Sequence, residues 1–284
     1  MLSIAHSPDA DDVFMFYAIA FGWVGLNRPF THHALDIETL NTQALQGVHD
    51  ISAISFGLYP LISDQYALLE CASSFGEGYG PKLVRKKTTK LKRNFKVALS
   101  GRYTTNALLF RLHYPHARVI YKNFLEIEEA VLSGEVDAGV LIHESILDFH
   151  PDLVVEKEIW EVWCELSKSE LPLPLGGMVL RRSIPLVQAI ELEKKLTQAI
   201  NLALAHSKLL SSMLLERGLV RVGAQHLATY LDLYANASAC QLSSKQLQAL
   251  DILFNLGFRH GFYPTPLNTQ AHLIPKRYHA LRFS

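Results

Sequence analysis

Short groups of polar residues in this sequence have the types and positions that acid–base or ligand-binding chemistry needs. Residues 7–12 read Ser-Pro-Asp-Ala-Asp-Asp, between a short apolar run and a helical pattern. Ser55 follows a second apolar run, and Thr104 and Thr105 follow a third. Polar side chains that follow strands in α/β proteins usually face a ligand cleft. We therefore take the loop of residues 7–12, together with Ser55, Thr104 and Thr105, as candidate binding residues.

Each of these residues also suits an ordinary helix N-terminus, where Ser, Thr and Asp cap free N–H groups. Taken together, however, several helix starts that face one cleft would form a site for a carboxylate or a phosphate. The sequence contains neither a Gly-x-Gly-x-x-Gly nor a Walker A spacing, so a nucleotide phosphate is disfavoured. An organic acid is the ligand that this pattern favours.

His143, Glu144 and Ser145 follow residues 136–142, which are apolar apart from Asp137. A histidine at the end of a central strand, beside a carboxylate, is placed to act as a base near neutral pH. The alternative is a histidine that only packs or hydrogen-bonds in the core, since the chain has 13 histidines. No His-Glu-x-x-His motif or other metal-ligand spacing occurs, so we predict no metal.

The elements that must position these residues alternate between strand-like and helix-like patterns, and the last third of the chain is helical. Such alternation predicts an α/β fold. Apolar periodicity and turn residues predict strands at 2–5, 30–37, 51–54, 66–71, 83–86, 95–99, 118–121, 136–142 and 178–180, and helices at 13–21, 38–45, 105–113, 125–132, 185–206, 207–217, 225–234 and 245–260.

The β/α pattern restarts after residue 99 and returns near residue 180, which predicts two lobes with a site in the cleft between them. We place residues 1–98 and 196–284 in a larger discontinuous α/β lobe and residues 99–195 in a smaller one. Residues 171–177 read Leu-Pro-Leu-Pro-Leu-Gly-Gly. This segment is either a crossover between the lobes or an apolar wall against an aromatic ligand.

Composition narrows the classes of function. Lys plus Arg and Asp plus Glu both number 27, so the formal net charge is zero. Nucleic-acid binders and membrane-surface proteins usually carry a basic excess, so neither is expected. Three widely spaced cysteines favour a reducing compartment. The apolar residues 13–26 are too few to span a bilayer and follow no Lys or Arg, so we expect a cytoplasmic protein.

Together these segments resemble the 1,4-dihydroxy-6-naphthoate synthase family of the futalosine route to menaquinone. The resemblance extends in order over nearly the whole chain, and its most specific parts are residues 136–145 and 171–177. It is also carried by Ser7, Pro8, Asp12, Phe14 and Ser55 and by residues 38–41, 78–81 and 101–105. The family implies a two-lobed fold like that of type II periplasmic binding proteins. One departure lies in the first loop, where the family often has Ser-Pro-Cys-Pro-Asn-Asp-Thr-Phe and this chain has Asp9, Ala10, Asp11 and Val13.

The resemblance also implies roles for residues. His143 would be the catalytic base, Ser55, Thr104 and Thr105 would hold the substrate, and Asp12 and Asn41 would line the cleft. The implied substrate is cyclic de-hypoxanthinyl futalosine, which bears an aromatic carboxylate, and the product is 1,4-dihydroxy-6-naphthoate. A base-initiated elimination of the sugar-derived fragment needs neither a redox cofactor nor a metal, so we expect a cofactor-independent lyase. The sequence sets no oligomeric state.

Two other functions fit the same features. A chorismate dehydratase of the same pathway would also need a carboxylate site, and its activity would be revealed by adding chorismate. A non-catalytic solute-binding protein would suit the expected fold equally well. The expected absence of an export signal counts against a receptor of that kind.

Overall fold

The computed structural model describes residues 1–235 and 239–276, and it contains two five-stranded mixed sheets. The strands are β1 (Leu2–His6), β2 (Phe30–Ala34), β3 (Ile51–Ser55), β4 (Tyr66–Gly76), β5 (Lys82–Lys86), β6 (Lys96–Leu99), β7 (Arg118–Tyr121), β8 (Ala138–Leu141), β9 (Leu153–Glu158) and β10 (Leu173–Arg181). The helices are α1 (Ala10–Ala20), α2 (Ile37–Leu45), α3 (Thr105–His113), α4 (Phe124–Leu132), α5 (Ile159–Ser167), α6 (Leu186–Ala205), α7 (Ser207–Glu216), α8 (Ala224–Tyr234) and α9 (Ser244–Arg259).

The first sheet has the order β2-β1-β3-β10-β4 and the second has the order β7-β6-β8-β5-β9. We call the first sheet with α1, α2 and α6–α9 the first lobe, and the second sheet with α3–α5 the second lobe. In the first sheet β1 runs parallel to β2 and β3, and in the second β6 runs parallel to β7 and β8. The carboxyl ends of β1 and β3 are therefore neighbours, as are those of β6 and β8. A site in such sheets forms outside these ends.

Several helices begin where a side chain caps their first turn. Asp36 accepts from two N–H groups at the start of α2, and Thr104 accepts from Ala107 at the start of α3. Asn123 caps α4, and Ser243 forms a reciprocal capping box with Gln246 at α9. These caps satisfy donors that have no partner inside the helix. They also fix where each helix meets the preceding strand.

Helix α1 is buried on nearly every side because it packs against α6 and α8 as well as its own sheet. Its apolar residues therefore show no clear stripe, which is typical of a fully covered helix. The residue types agree with that position, since Val13, Phe14 and Ile19 are at most 2% exposed. The first turn of α1 is thus held rigidly at the end of β1.

Two elements, β9 and α5, were not predicted from the sequence. The strand Leu153–Glu158 carries three charged residues and little alternation, so its pattern resembles a loop. Helix α5 begins with a capping box between Glu158 and Glu161, and it ends at Lys168 in a left-handed conformation. Of its two tryptophans, Trp163 is fully buried. Strand β4 also extends beyond the predicted end, to Gly76.

The sheets divide the chain at other points than the predicted lobe boundaries after residues 98 and 195. Strands β5 and β6 both pair within the second sheet, whereas β10 pairs antiparallel with β3 and β4 of the first. The chain therefore changes sheets between Gly76 and Lys82 and again between Ser167 and Leu173. The apolar runs at 83–86 and 178–180 do not by themselves reveal which sheet they join. Residues 236–238 and 277–284 of the predicted larger lobe lie outside the described residues.

Strand β8 is central and buried at every position, as predicted for residues 136–142. Within residues 1–235 and 239–276, no helix is both long and apolar enough to cross a membrane.

Candidate active site

A cavity lies where the carboxyl ends of β1 and β3 face those of β6 and β8. About 740 Å³ of space in and around it contains no protein atom, part of that space being open solvent. Both lobes supply its polar lining. These polar residues are Ser7, Asp9, Asp11, Asp12, Ser55, Ser74, Thr104, Thr105, Asn106, His143, Tyr230 and Tyr234.

His143 begins a short 3₁₀ turn directly after β8 and lines the cavity. Its backbone φ is +55°, a left-handed conformation that is uncommon for residues other than glycine and is often associated with functional sites. Its Nδ1 donates to Asp9 Oδ2 at 2.9 Å. Its Nε2 is buried and has no hydrogen-bond partner among the described residues. One ring nitrogen is thus held by the protein, and the other is available to a ligand.

Asp9 is 1% exposed and has three side-chain partners, namely His143, the Ser7 hydroxyl and the Arg221 guanidinium. Burial alone would raise the pKa of Asp9, but these partners outweigh it and lower the pKa. Burial alone would lower the pKa of His143, but the Asp9 carboxylate outweighs it and raises the pKa. The two shifts are those of an ion pair. A carboxylate on Nδ1 fixes the ring and stabilises the imidazolium that forms when Nε2 accepts a proton.

Glu144 points to the first lobe instead of to His143. Its Oε1 accepts from the backbone N–H of Ala10 at 3.0 Å, and its Oε2 lies 3.4 Å from Nη2 of Arg221. The Arg221 guanidinium also lies over the Phe124 ring, 4.8 Å from its centroid. Arg221, in the connection between α7 and α8, therefore joins the Asp9–His143 pair to Glu144 across the cleft.

Ser55 and Asn41 form a reciprocal pair. The Ser55 N–H donates to Asn41 Oδ1 at 2.9 Å, and Asn41 Nδ2 donates to Ser55 Oγ at 3.0 Å. Ser55 lines the cavity. Asn41 was predicted to line it too, but it is fully buried behind Ser55. Because Ser55 Oγ accepts from Asn41, its own proton can point to a ligand.

Thr104 and Thr105 line the cavity, but their hydroxyls already have protein partners. The Thr104 hydroxyl caps α3 and lies 2.6 Å from Asn106 Oδ1. The Thr105 hydroxyl donates to the Leu175 carbonyl at 2.8 Å and accepts from the Gly57 N–H at 2.9 Å. A Cβ on Gly57 would lie 3.0 Å from Thr105 Cα, closer than most Cβ contacts, so glycine favours the close approach of these two backbones. What α3 offers a ligand is chiefly its free first-turn N–H groups.

Asp12 lines the cavity, and its Oδ2 accepts from the Ser7 N–H at 2.8 Å. Burial raises the pKa of Asp12 to about 6. Segment 171–177 is the crossover between the lobes that the sequence allowed, and its role as an apolar wall against an aromatic ligand stays a prediction. It brings the chain from the second lobe back to the first, and Leu175, Gly176 and Gly177 line the cavity.

Sequence reasoning missed two residues at the centre of this site. Asp9 was given no role because it stands where the resembling family often has cysteine. Arg221 lies in a helix connection with no motif around it. Only the three-dimensional approach of the two lobes joins them to His143. Among the described residues, no group of three or more His, Cys, Asp or Glu side chains could hold a metal ion.

Solved structures define the class of this fold. The alkanesulfonate-binding protein SsuA from Xanthomonas axonopodis pv. citri superimposes with a TM-score of 0.67 at 11% identity, over 96% of this chain and 97% of that one. A ligand-binding component of an ABC-type import system from Staphylococcus aureus gives a TM-score of 0.69 at 11% identity, over 98% of this chain and 97% of that one. The chain thus has the two-lobed α/β fold of periplasmic binding proteins, and the predicted fold class is confirmed.

The family of this chain is shown by its similarity in sequence to known proteins. A family model described as menaquinone biosynthesis matches residues 2–259. A 1,4-dihydroxy-6-naphthoate synthase of Thermus thermophilus is 31% identical over 205 residues, 72% of this chain and 75% of that protein. A 1,4-dihydroxy-6-naphthoate synthase of Streptomyces coelicolor is 33% identical over 193 residues, which are 64% of this chain and 67% of that protein. A crystal structure from Archaeoglobus fulgidus gives a TM-score of 0.83 at 33% identity, over 92% and 98%. This chain belongs to the menaquinone-biosynthesis family, and the family predicted from the sequence is confirmed.

Proposed function

We propose that this chain is a 1,4-dihydroxy-6-naphthoate synthase, a lyase that converts cyclic de-hypoxanthinyl futalosine into 1,4-dihydroxy-6-naphthoate. The observation that carries the proposal is His143, whose Nδ1 is held by Asp9 and whose Nε2 has no partner among the described residues of the cleft. The curated relatives named above have this activity by name. An oriented imidazole with a free nitrogen is what a base-initiated elimination requires.

In this mechanism Nε2 of His143 removes the acidified proton of the substrate. Asp9 stabilises the resulting imidazolium, as a buried carboxylate does for a histidine base. The electron pair of the broken C–H bond forms a double bond in the ring, and the electron pair of the broken carbon–carbon bond leaves with the sugar-derived fragment. That fragment takes the proton back from the His143 imidazolium, and formation of the aromatic ring drives the step. No cofactor takes part in this scheme.

The aromatic carboxylate of the substrate would bind to local donors. We assign this role to the first-turn N–H groups of α3, which begins at Thr105, and to the Ser55 hydroxyl, because Thr104, Thr105 and Ser55 line the cavity. Asn41 holds Ser55 in place. Asp12 would line the same cleft. Local donors of this kind need no global basic charge, which agrees with a formal net charge of zero. We place the reaction in the cytoplasm, where the three free cysteines would remain reduced.

One assay tests the proposal. Purified protein is mixed with cyclic de-hypoxanthinyl futalosine, and the absorbance of the naphthoate is followed over time. We expect turnover with this compound and none with chorismate. Conversion of chorismate would instead support the dehydratase, and tight binding without any turnover would support a solute-binding protein. Either result would overturn the synthase assignment.

A further inference from the structure

Asp11 is a second acidic side chain in the cavity with no part in the mechanism above. It is the second residue of α1, it is 6% exposed, and it lines the cavity. It makes no hydrogen bond or ion pair with any residue that the structure describes. A carboxyl group that has no protein partner and faces a cavity keeps its hydrogen-bonding capacity for water or for a ligand. An unpaired carboxyl that opens into a cavity points to a ligand.

The groups that could stabilise a charged carboxylate near Asp11 are already engaged by other acids. Glu144 accepts the Ala10 N–H, and Asp12 accepts the Ser7 N–H. Asp9 has both His143 and Arg221. The N-terminus of α1 favours a negative charge, but these three carboxylates already supply it.

The charged and titratable groups around Asp11 mostly oppose its ionisation. The charge of His143 favours the carboxylate, whereas the charges of Asp12, Asp9 and Glu144 oppose it. Burial, together with the charges of the neighbouring acids, raises the pKa of Asp11 well above its usual value. The groups concerned are Asp9, Asp12, Glu144 and His143, with the phenols of Tyr79, Tyr230 and Tyr234 on the adjoining wall.

That wall is aromatic. Tyr230 and Tyr234 both line the cavity, with ring centroids 4.8 Å apart. Tyr79 meets Tyr234 edge to face at 5.3 Å. Burial raises the pKa of Tyr230 and of Tyr234 well above the usual value, so both phenols keep their protons. This end of the cavity therefore presents O–H groups and aromatic surface, and His143 is the one residue among the described cavity lining that can carry a positive charge.

We propose that Asp11 contacts the substrate as a neutral carboxylic acid and donates a hydrogen bond to an uncharged oxygen, a hydroxyl or a carbonyl. The substrate carboxylate does not fit here, because it would add a negative charge beside four acidic side chains. The oxygen belongs instead to the sugar-derived part of the substrate, an assignment that rests on the proposed function. Asp11 thus helps to distinguish substrates that carry such an oxygen from those that lack it.

Infrared difference spectroscopy tests the neutral acid independently of turnover. Wild-type protein and Asp11→Asn are compared at pH 8, above the pKa values of about 6 for Asp12 and about 7 for Glu193. We expect a carboxylic-acid carbonyl band in the wild type that is lost in Asp11→Asn and retained in the control Asp64→Asn, whose carboxylate is exposed. Absence of the band from the wild type would overturn the proposal.

The contact with substrate is tested by a second pair of measurements. Adding cyclic de-hypoxanthinyl futalosine should shift the Asp11 band to lower frequency, as hydrogen bonding does. Asp11→Asn keeps a donor and should retain kcat/KM within tenfold, whereas Asp11→Leu has none and should lose about a hundredfold. Equal effects of the two substitutions on correctly folded protein, or an unshifted band, would exclude the contact. If the wild type turned over no substrate but still showed the carboxylic-acid band of Asp11, the proposed function would be wrong, whereas the inference that Asp11 is a neutral acid would remain supported.

Discussion

Glu144 and Ala10 lie 134 residues apart, and an oxygen of Glu144 accepts the backbone N–H of Ala10 at 3.0 Å across the cleft. Ala10 begins α1 in the first lobe, and Glu144 follows His143 in the second. The Thr105 hydroxyl joins the lobes again through Leu175. The lobes are therefore closed on the site in this structure, and the polar residues named in the sequence act from both sides of one cavity.

Replacing His143 with Asn should lower kcat about a hundredfold or more while leaving substrate binding largely intact, as expected when a general base is removed. Steady-state rates and equilibrium binding of the substrate measure the two effects separately. His150→Asn is the matched control, because His150 is exposed. Normal turnover by His143→Asn would show that another group takes the proton.

Asp9→Asn should change the pH dependence of the reaction. In the wild type Asp9 raises the pKa of His143, so the neutral base appears, and kcat/KM rises, as pH increases through that raised value. Without the carboxylate, burial lowers the pKa of His143, so the rising limb of the kcat/KM profile should move to lower pH. The plateau value of kcat/KM at high pH should fall as well, because the His143 imidazole loses the partner that orients it. Profiles of kcat/KM against pH measure both changes, and an unmoved limb would contradict the pairing. Asp148→Asn, at an exposed position, is the control.

Thr105→Ala should mainly raise the apparent substrate constant. The substitution removes the hydroxyl that joins Gly57 and Leu175 to the start of α3, so the N–H groups expected to bind the carboxylate lose their position. We expect KM to rise about tenfold with a smaller change in kcat. Thr105→Ser keeps the hydroxyl and should restore most of the affinity. An unchanged KM in Thr105→Ala would remove this contact from substrate binding.

His6 should make stability depend on pH. It is 1% exposed, its Nδ1 donates to the Ser7 carbonyl at 2.7 Å, and burial lowers its pKa to about 4. The unfolded chain binds this proton near pH 6.5, so the free energy of unfolding should fall as pH drops from about 6.5 towards 4.

Urea unfolding at pH 7 and pH 5 measures the effect. His6→Gln should reduce the loss of stability between these pH values by about 2 kcal/mol. His226→Gln, at an exposed position of α8, should leave the loss as it is in the wild type. The same pH dependence in His6→Gln as in the wild type would show that folding does not change the pKa of His6.

Elements whose ends carry local signals were predictable from the sequence. The predicted bounds of α3 and β7 agree with the structure. A Thr cap precedes α3, and turn residues flank β7. Asp12, Ser55, Thr104, Thr105 and His143 surround one cavity because polar starts at the carboxyl ends of strands meet there. Their roles in catalysis and binding remain predictions.

The features of the fold and of the site that the sequence did not predict depend on contacts between distant segments. Asn41 supports Ser55 from behind, since its position on α2 is fixed by how that helix packs on β3. The pairing of Asp9 with His143, and the position of Arg221 between them and Glu144, depend on how the lobes face each other. No local pattern carries that information. Strand pairing likewise decides that β10 joins the first sheet.

The pairing of Asp9 with His143 has a consequence for proton balance, because the two residues follow strands of different lobes. When the lobes separate, the imidazole loses its carboxylate and its affinity for a proton falls. Closure therefore raises the share of His143 that carries a proton near neutral pH, and the molecules in which it stays neutral are those in which it can act as a base. Asp9 is ionised in both states and releases no proton. Substrate binding by closure should show a calorimetric enthalpy that changes with the ionisation heat of the buffer, and Asp9→Asn should reverse the sign of that dependence, because burial alone lowers the pKa of His143.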